Sequence, residues 1–350
     1  MSRTIKVLII DDSALVRKTL TEIINSDPML EVIATAADPF FAAEKIKTFI
    51  PDVITLDVEM PRMDGLTFLK TLMMRYPIPV VIISSLTQEG SDMALRSLEF
   101  GAIEIVAKAE IRNTKSHLEE STMRITDAIK AAYMVPVKRR SAGGDSASVQ
   151  HHKRITKQTV IYRTTDKVIS IGASTGGTEA IRYVLTHVPA TTAGILITQH
   201  MPAGFTKSFA DQLNTISELT IKEASDGERV MRGHAYIAPG GKHMELFRSG
   251  AKYCIRIRDG ELVSRHKPSV DVLFNSVARN AGQNALGILM TGMGKDGATG
   301  LLNMKDSGSK TIAQDEQSSV IFGMPKEAIK LGAAQHVLSL QELPRVIQGF

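Results

Sequence analysis

The sequence has neither the cysteines of a disulfide framework nor the long apolar runs of membrane-spanning helices. Among its 350 residues there is no tryptophan and a single cysteine, Cys254, which lies in an alternating run typical of a strand. One cysteine excludes an intramolecular disulfide and favours a reducing compartment. No apolar run approaches the roughly 20 residues that cross a bilayer, and the run at residues 7–10 is too short for a secretory signal. We therefore expect a cytoplasmic protein without membrane insertion.

The chain also lacks a strong excess of either charge. It has 42 lysine and arginine residues against 37 aspartate and glutamate residues, a formal net charge of +5. This small excess permits an acidic protein, an anionic lipid surface or nucleic acid as a partner. The basic clusters at 138–140 and 151–154 lie in a weakly hydrophobic stretch, where a solvated linker accounts for them. Charge alone therefore does not select a class of partner.

The length of the chain exceeds the usual size of one hydrophobic core, so two domains are expected. Residues 1–130 alternate short apolar runs with helical periods, and a regular pattern resumes over residues 166–350. Between them, residues 131–165 lose this periodicity and include a small, polar stretch, which predicts a flexible linker.

The first half predicts a parallel α/β sheet. Strands are predicted at residues 6–10, 31–36, 53–57, 80–84 and 104–106. Short β-branched runs separated by helices indicate a parallel sheet covered on both faces. Five such strands suit the flavodoxin-like order.

The second half predicts a doubly wound α/β domain. Its apolar runs lie at residues 168–171, 194–198, 285–291 and 310–313. Residues 234–263 alternate more strictly, which predicts an inserted region of antiparallel hairpins.

Charged and polar residues collect at strand ends in the first half. Asp11 and Asp12 follow the first strand, Asp57 ends the third, Ser84 ends the fourth and Lys108 follows the fifth. The carboxyl ends of parallel strands meet at one edge, where ligands bind. A pair of aspartates after a strand is also a common helix N-cap, but capping does not explain the full set.

Three carboxylates at one edge repel one another unless a cation neutralises them. Oxygen ligands of this kind suit Mg²⁺, which would be held by Asp11, Asp12 and Asp57. Asp57 could then attack a phosphoryl donor and form an acyl phosphate, with Ser84 and Lys108 contacting the phosphoryl oxygens. The sequence therefore predicts a metal-dependent phosphoacceptor.

Over residues 4–125 the chain resembles the receiver domain of two-component response regulators. The resemblance rests on the Asp11–Asp12 pair, the run Leu-Asp-Val-Glu-Met-Pro around Asp57, Ser84 and Lys108. In that family the lysine is usually followed by proline, whereas Lys108 precedes Ala109.

A glycine-flanked serine opens the second half. The run Gly172-Ala-Ser174-Thr-Gly176 places Ser174 between a predicted strand and a predicted helix. A tight turn of this G-x-S-x-G kind exposes a nucleophilic serine. A glycine-rich turn before a helix could instead bind phosphate, although the spacing fits the dinucleotide pattern poorly.

Two further residues complete a candidate triad. His200 ends the run Ile-Leu-Ile-Thr-Gln-His at residues 195–200. Asp296 lies in a glycine-rich turn that follows the apolar run at residues 285–291. Both therefore leave the sheet edge that holds Ser174, as a serine, base and orienting carboxylate require. The remaining candidate bases are interpreted as surface or hairpin residues; they are His234, His243 and His266.

The second half, residues 166–347, resembles the protein-glutamate methylesterase domain of chemotaxis response regulators. The motifs that carry this resemblance are Gly-Ala-Ser-Thr-Gly-Gly at 172–177, Gln-His-Met-Pro at 199–202, His-Lys-Pro-Ser-Val-Asp-Val-Leu-Phe at 266–274 and Gly-Met-Gly-Lys-Asp-Gly-Ala at 292–298. The resemblance implies that Thr175 and the backbone amide of Met293 help hold the oxyanion. It also implies hydrolysis of glutamate methyl esters on methyl-accepting chemoreceptors and deamidation of certain receptor glutamines.

The same resemblance implies a regulated enzyme. A chemotaxis histidine kinase would phosphorylate the receiver, and the unphosphorylated receiver would restrict access to Ser174. The esterase reaction itself would need no cofactor. Two other readings stay open, a response regulator that binds DNA and a hydrolase of free small esters. Neither a compact helical module nor a basic recognition helix supports the first.

Overall fold

The computed structural model of the chain describes residues 3–60, 63–108, 115–137 and 167–350. The predicted linker from residue 138 onward lies outside these ranges, as do both basic clusters and Ala109. Within the described residues, no helix is long and apolar enough to cross a membrane.

The first half forms a five-stranded parallel sheet in the order β2-β1-β3-β4-β5, as the flavodoxin-like pattern predicts. Its strands are β1 (Ile5–Ile10), β2 (Leu30–Ala36), β3 (Val53–Asp57), β4 (Val80–Ser84) and β5 (Glu104–Ala107). Its helices are α1 (Ala14–Asn25), α2 (Pro39–Thr48), α3 (Gly65–Arg75), α4 (Gln88–Glu99) and α5 (Lys115–Met134). The last helix continues past Ala131, where the linker was predicted to begin.

Side-chain caps start the receiver helices close to the sheet edge. Ser13 accepts a hydrogen bond from the backbone of Val16 at the start of α1, and Asp64 accepts one from Thr67 at the start of α3. Such caps satisfy backbone donors that the first turn of a helix leaves free. Only three residues separate β1 from α1, and two of them are Asp11 and Asp12.

The second half forms a seven-stranded sheet in the order β14-β13-β12-β6-β7-β9-β8, in which every strand pair is parallel. Its strands are β6 (Val168–Ala173), β7 (Gly194–Gln199), β8 (Thr220–Glu223), β9 (His234–Ile237), β12 (Ala285–Leu289), β13 (Lys310–Gln314) and β14 (His336–Leu338). Its helices are α6 (Gly177–Thr186), α7 (Phe205–Ile216), α8 (Val270–Ala281), α9 (Ala298–Asp306), α10 (Met324–Lys330) and α11 (Leu343–Gly349). The doubly wound α/β prediction is confirmed.

The predicted hairpin region is only partly antiparallel. The strands β10 (His243–Ser249) and β11 (Lys252–Arg258) form an antiparallel pair. By contrast, β9 joins the main sheet and pairs in parallel with β7 and β8. Alternation could not separate these cases, because β9 is short and largely buried within the sheet. Cys254 is buried in β11, as expected of a structural residue.

Buried apolar side chains of both domains form one continuous cluster. It includes Leu98 and Ile105 of the first half together with Met201 and Phe205 of the second. The helices α4 and α7 lie in contact where these groups meet. The first domain therefore packs on the second at the edge where β6 and β7 end.

Candidate active site and phosphoacceptor site

The nucleophile turn at the end of β6 depends on close packing around its glycines. Gly176 adopts a left-handed conformation with φ of 78°, and a side chain there would collide with Val320. A side chain at Gly172 would collide with Val270 in the same way. Glycine therefore permits the sharp turn that presents Ser174 between strand and helix.

The three predicted triad residues come together at the ends of adjacent strands. The Nδ1 atom of His200 lies 3.1 Å from the Ser174 hydroxyl oxygen, and its Nε2 atom lies 2.8 Å from Asp296 Oδ2. With the proton on Nε2, the imidazole donates to Asp296 and accepts from the Ser174 hydroxyl. Ser174, His200 and Asp296 are all buried. This is the geometry of a serine, base and carboxylate triad.

The carboxylate of Asp296 is held by the start of α8. Its two oxygens accept hydrogen bonds from the Ser269 hydroxyl at 2.8 Å and from the backbone amides of Val270 at 2.7 Å and Asp271 at 3.1 Å. Burial opposes the charged form, but the His200 contact and these donors lower the pKa of Asp296. A helix N-terminus stabilises such an anion. Asp296 is therefore an ionised group of fixed orientation.

Sequence reasoning missed two residues that position the triad. The Gln199 side-chain amide donates to the carbonyl of Ser174 at 2.9 Å and to that of His200 at 3.2 Å. Ser269 caps α8 and also binds Asp296. Both residues belong to the motifs quoted above, and the Ser-x-Asp start of a helix was the signal for the second.

His266, interpreted from the sequence as a surface or hairpin residue, is half-buried and lies against the triad. Its ring stacks on the ring of His200 with centroids 3.6 Å apart and planes 13° apart. Burial and the charge of His200 lower the pKa of His266 to about 2, so this ring stays neutral. His243 is buried in β10 of the antiparallel pair, in agreement with the hairpin interpretation, and His234 is half-buried at the start of β9.

The two residues expected near the oxyanion lie beside Ser174. Thr175 directly follows the serine, is buried, and accepts a hydrogen bond at its carbonyl from Thr291. Gly292 lies against Ser174 so closely that an added side chain would meet the serine Cβ. Met293 therefore follows a residue that contacts the nucleophile.

At the other edge, the receiver domain gathers its acidic residues around one lysine. The Nζ atom of Lys108 lies 2.6 Å from Asp57 Oδ2 and 3.0 Å from Asp11 Oδ2. Asp11, Asp12 and Asp57 each offer an oxygen, and these oxygens lie within 4.8 Å of one another. Asp11 and Asp57 are buried, while Asp12 is exposed. These three carboxylates carry more negative charge than Lys108 balances, and Asp12 is open to solvent, so a further cation would complete the charge balance.

The pKa shifts of this cluster indicate that Lys108 does not fully neutralise its carboxylates. Burial raises the pKa of Asp57 to about 6 and also raises that of Asp11, although Lys108 works against both shifts. Burial lowers the pKa of Lys108, but its contacts with Asp57 and Asp11 outweigh this and raise it. A set of carboxylate oxygens with an exposed ligand fits Mg²⁺, which retains several waters.

Ser84 does not face the acidic cluster. Its buried hydroxyl donates to the carbonyl of Gly90, in the first turn of α4, at 3.0 Å. Contact with a phosphoryl group would therefore require Ser84 to exchange this hydrogen bond.

The receiver domain also contributes to the surroundings of Ser174. A small cavity is lined by Ser174 and His200 from one domain and by Glu104 and Ile105 from the other. Beside it, Arg182 of α6 forms an ion pair of 2.5 Å with Glu99 of α4. The cleft above the nucleophile is therefore bordered by both domains.

Comparison with known proteins agrees with this division. A family model described as CheB methylesterase matches residues 169–347. A second, described as a response regulator receiver domain, matches residues 7–119.

Two relatives match this chain over almost its whole length. The protein-glutamate methylesterase/protein-glutamine glutaminase 3 of Geobacter metallireducens is 54% identical over 352 residues, with 99% of this chain and 98% of the relative covered. The corresponding protein of Chromohalobacter salexigens is 54% identical over 346 residues, with 99% and 96% covered. The crystal structure of the Thermotoga maritima CheB methylesterase catalytic domain matches with a TM-score of 0.51 and 38% identity, covering 52% of this chain and 97% of that one.

Proposed function

This chain belongs to the CheB methylesterase family, and we propose that Ser174, His200 and Asp296 form its catalytic triad. Its function is the removal of methyl groups from glutamate methyl esters, with deamidation of glutamines, in chemotaxis adaptation. The observation that carries the site assignment is the unbroken chain of hydrogen bonds from Ser174 through His200 to Asp296.

Hydrolysis begins with attack of the Ser174 oxygen on the ester carbonyl carbon. His200 takes the serine proton at Nδ1, while Asp296 holds the opposite nitrogen and stabilises the imidazolium. Collapse of the tetrahedral adduct expels methanol, which takes the proton from His200, and leaves an acyl-enzyme. Water then attacks with His200 as base and releases a glutamate side chain. A glutamine follows the same path with ammonia as the leaving group.

The tetrahedral intermediate carries a negative oxygen that needs donors in place before the reaction. We assign this role to Thr175 and to the backbone amide of Met293. Support comes from their positions: Thr175 follows the nucleophile, and Met293 follows Gly292, which packs against it. The His266 ring covers one face of the His200 ring.

The receiver domain takes a phosphoryl group on Asp57 in this proposal. Asp11, Asp12 and Asp57 would hold Mg²⁺, which supplies positive charge to the phosphoryl oxygens when bound. Lys108 remains beside the modified Asp57 and pairs with its new charge. Ser84 turns from Gly90 toward the phosphoryl group, which frees the start of α4.

Movement of α4 connects this event to the esterase, because α4 carries Glu99 and packs on α7. Loss of that docking would open the cleft above Ser174 to a receptor helix. The partners would be methyl-accepting chemoreceptors as substrates and a chemotaxis histidine kinase as phosphodonor, all reached from the cytoplasm. A DNA-binding output is disfavoured, since the second half holds the triad geometry of a hydrolase.

The assignment is tested by methanol release from membranes that carry methylated receptors. Ser174→Ala should lower kcat by about 10⁶, the loss typical of removing a triad nucleophile. Ser170→Ala is the matched control, because it makes the same change on β6 at a hydroxyl whose contacts, with the Leu286 carbonyl at 3.4 Å and Met304 Sδ at 3.5 Å, are long. A folded Ser174→Ala protein that kept a substantial part of the wild-type rate would overturn the triad.

A further inference from the structure

One receiver carboxyl reaches into the esterase site. Glu104 is the first residue of β5, and its half-buried side chain lines the cavity that also contains Ser174 and His200. Its carboxyl group lies near the side chain of Thr175, the neighbour of the nucleophile, and this proximity favours the ionised form of Glu104. The carboxyl therefore lies beside a residue that we assign to the oxyanion.

Glu104 shares the cavity around Ser174 with Gln199 and His200 of the other domain. Burial raises the pKa of Glu104, while the nearby Thr175 side chain and the charges of Arg124 and His200 work in the opposite direction. The ion pair of Glu99 with Arg182 lies at the same interface but outside the cavity around Ser174. Of these two glutamates, Glu104 lines the cavity around Ser174, and Glu99 does not.

The chemistry of this contact matches the proposed reaction, on which the inference rests. A glutamate side chain is the product of methyl ester hydrolysis and of glutamine deamidation. We propose that Glu104 occupies the acyl subsite of the esterase as an internal copy of its glutamate product. The subsite then recognises a glutamyl carboxyl through Thr175, and a receptor glutamyl ester must displace Glu104 before it can react.

The position of Glu104 also suits control by the receiver. Lys108, which contacts Asp57, directly follows the strand that begins with Glu104. At about 3.3 Å per residue, the two positions are roughly 13 Å apart along one strand. A shift of that strand on phosphorylation would therefore withdraw Glu104 from the cleft.

The proposal makes an unusual prediction for Glu104→Gln. If the side chain occupies the acyl subsite, the new carboxamide lies where a substrate amide would lie. Ser174 should attack its carbon, expel ammonia, and pass the acyl group to water, which regenerates glutamate at position 104. The full-length chain would thus deamidate itself at one site.

The experiment incubates the full-length Glu104→Gln chain without phosphodonor and measures the peptide that contains position 104 by mass spectrometry. The expected result is conversion of the amide to the acid, abolished when Ser174→Ala is added. Glu99→Gln is the matched control, because it makes the same change at the same interface, and its amide should persist. Methanol release from methylated receptors is measured on each sample.

Retention of the amide at position 104 in a sample that still hydrolyses receptor esters would overturn the proposal and leave the proposed function intact. Conversion that continues with Ser174→Ala would overturn it too, because the reaction would not use the nucleophile. Glu104→Ala gives an independent readout on receptors. It should raise the unphosphorylated rate about five-fold or more, a coupling at the lower end of the usual range. An unchanged rate would count against the proposal.

Discussion

The two polar sites of this chain occupy equivalent places in their folds and have opposite electrostatics. Each lies where parallel strands end, at a point where the strand order reverses. In the esterase, Asp296 is buried among donors that lower its pKa. In the receiver, burial raises the pKa of Asp57 to about 6, with Lys108 as its partner.

This difference explains what each site is able to do. The donors around Asp296 keep the triad ready for a charge that appears only during the reaction. The carboxylates of the receiver are instead poised to gain positive charge and then a phosphoryl group. The esterase site is preorganised for its reaction, whereas the receiver site changes its charge when it binds a cation and a phosphoryl group.

The strongest contrast should appear on removal of the metal or of Asp57. Asp57→Asn, or treatment of the wild type with EDTA, should abolish acid-labile phosphate because the acceptor or the neutralising cation is lost. Neither treatment should lower the basal rate of methanol release, since no metal is assigned to Ser174. Phosphate incorporation is measured with a small phosphodonor.

Two outcomes would break this contrast. Phosphate that persists in Asp57→Asn would move the acceptor to Asp11 or Asp12. Loss of the basal esterase rate in EDTA, with the protein still folded, would show that the catalytic site also depends on a metal.

A smaller effect should sharpen the contrast within the esterase domain. Burial, and next the nearby charge of Asp296, raise the pKa of Asp271 to about 6. Because the folded state raises this pKa, the contribution of protonated Asp271 to the free energy of unfolding is fully present below about pH 4. It is lost as the pH rises through about 6 and Asp271 ionises. The loss could reach about 3 kcal/mol, from a shift of about two units.

Asp271→Asn should remove this pH-dependent loss, because a neutral amide can accept from Gly300 and donate to Asp296. Its thermal unfolding midpoint should rise relative to wild type as the pH increases from about 4 to 7. The control is Asp306→Asn, an exposed position at the end of α9. A difference from wild type that did not vary with pH would contradict the assignment.

The sequence was sufficient for features that depend on strand ends. Asp57, Ser174 and His200 each end or follow a parallel strand, and such ends meet at one edge whatever the details of packing. The same logic reached Asp296 through its glycine-rich turn. The sequence alone was therefore enough to predict that these residues lie together.

Contacts made by loops or between domains could not be predicted in this way. His266 lies in an irregular segment, and its stacking on His200 depends on how that segment folds back. Glu104 looked like the ordinary start of a strand, and its role depends on domain packing. The parallel pairing of β9 likewise depended on neighbours distant in sequence.

The central claim is that the receiver restrains the esterase until Asp57 is phosphorylated. The most direct test compares methanol release from methylated receptor membranes by the full-length chain, with and without phosphodonor and Mg²⁺, and by a fragment that begins at Thr165. We predict that the fragment is faster than the unphosphorylated chain and ignores the phosphodonor, while phosphorylation accelerates the full-length chain. A folded fragment no faster than the unphosphorylated chain would contradict restraint, and activation would then require a positive contact from the phosphorylated receiver.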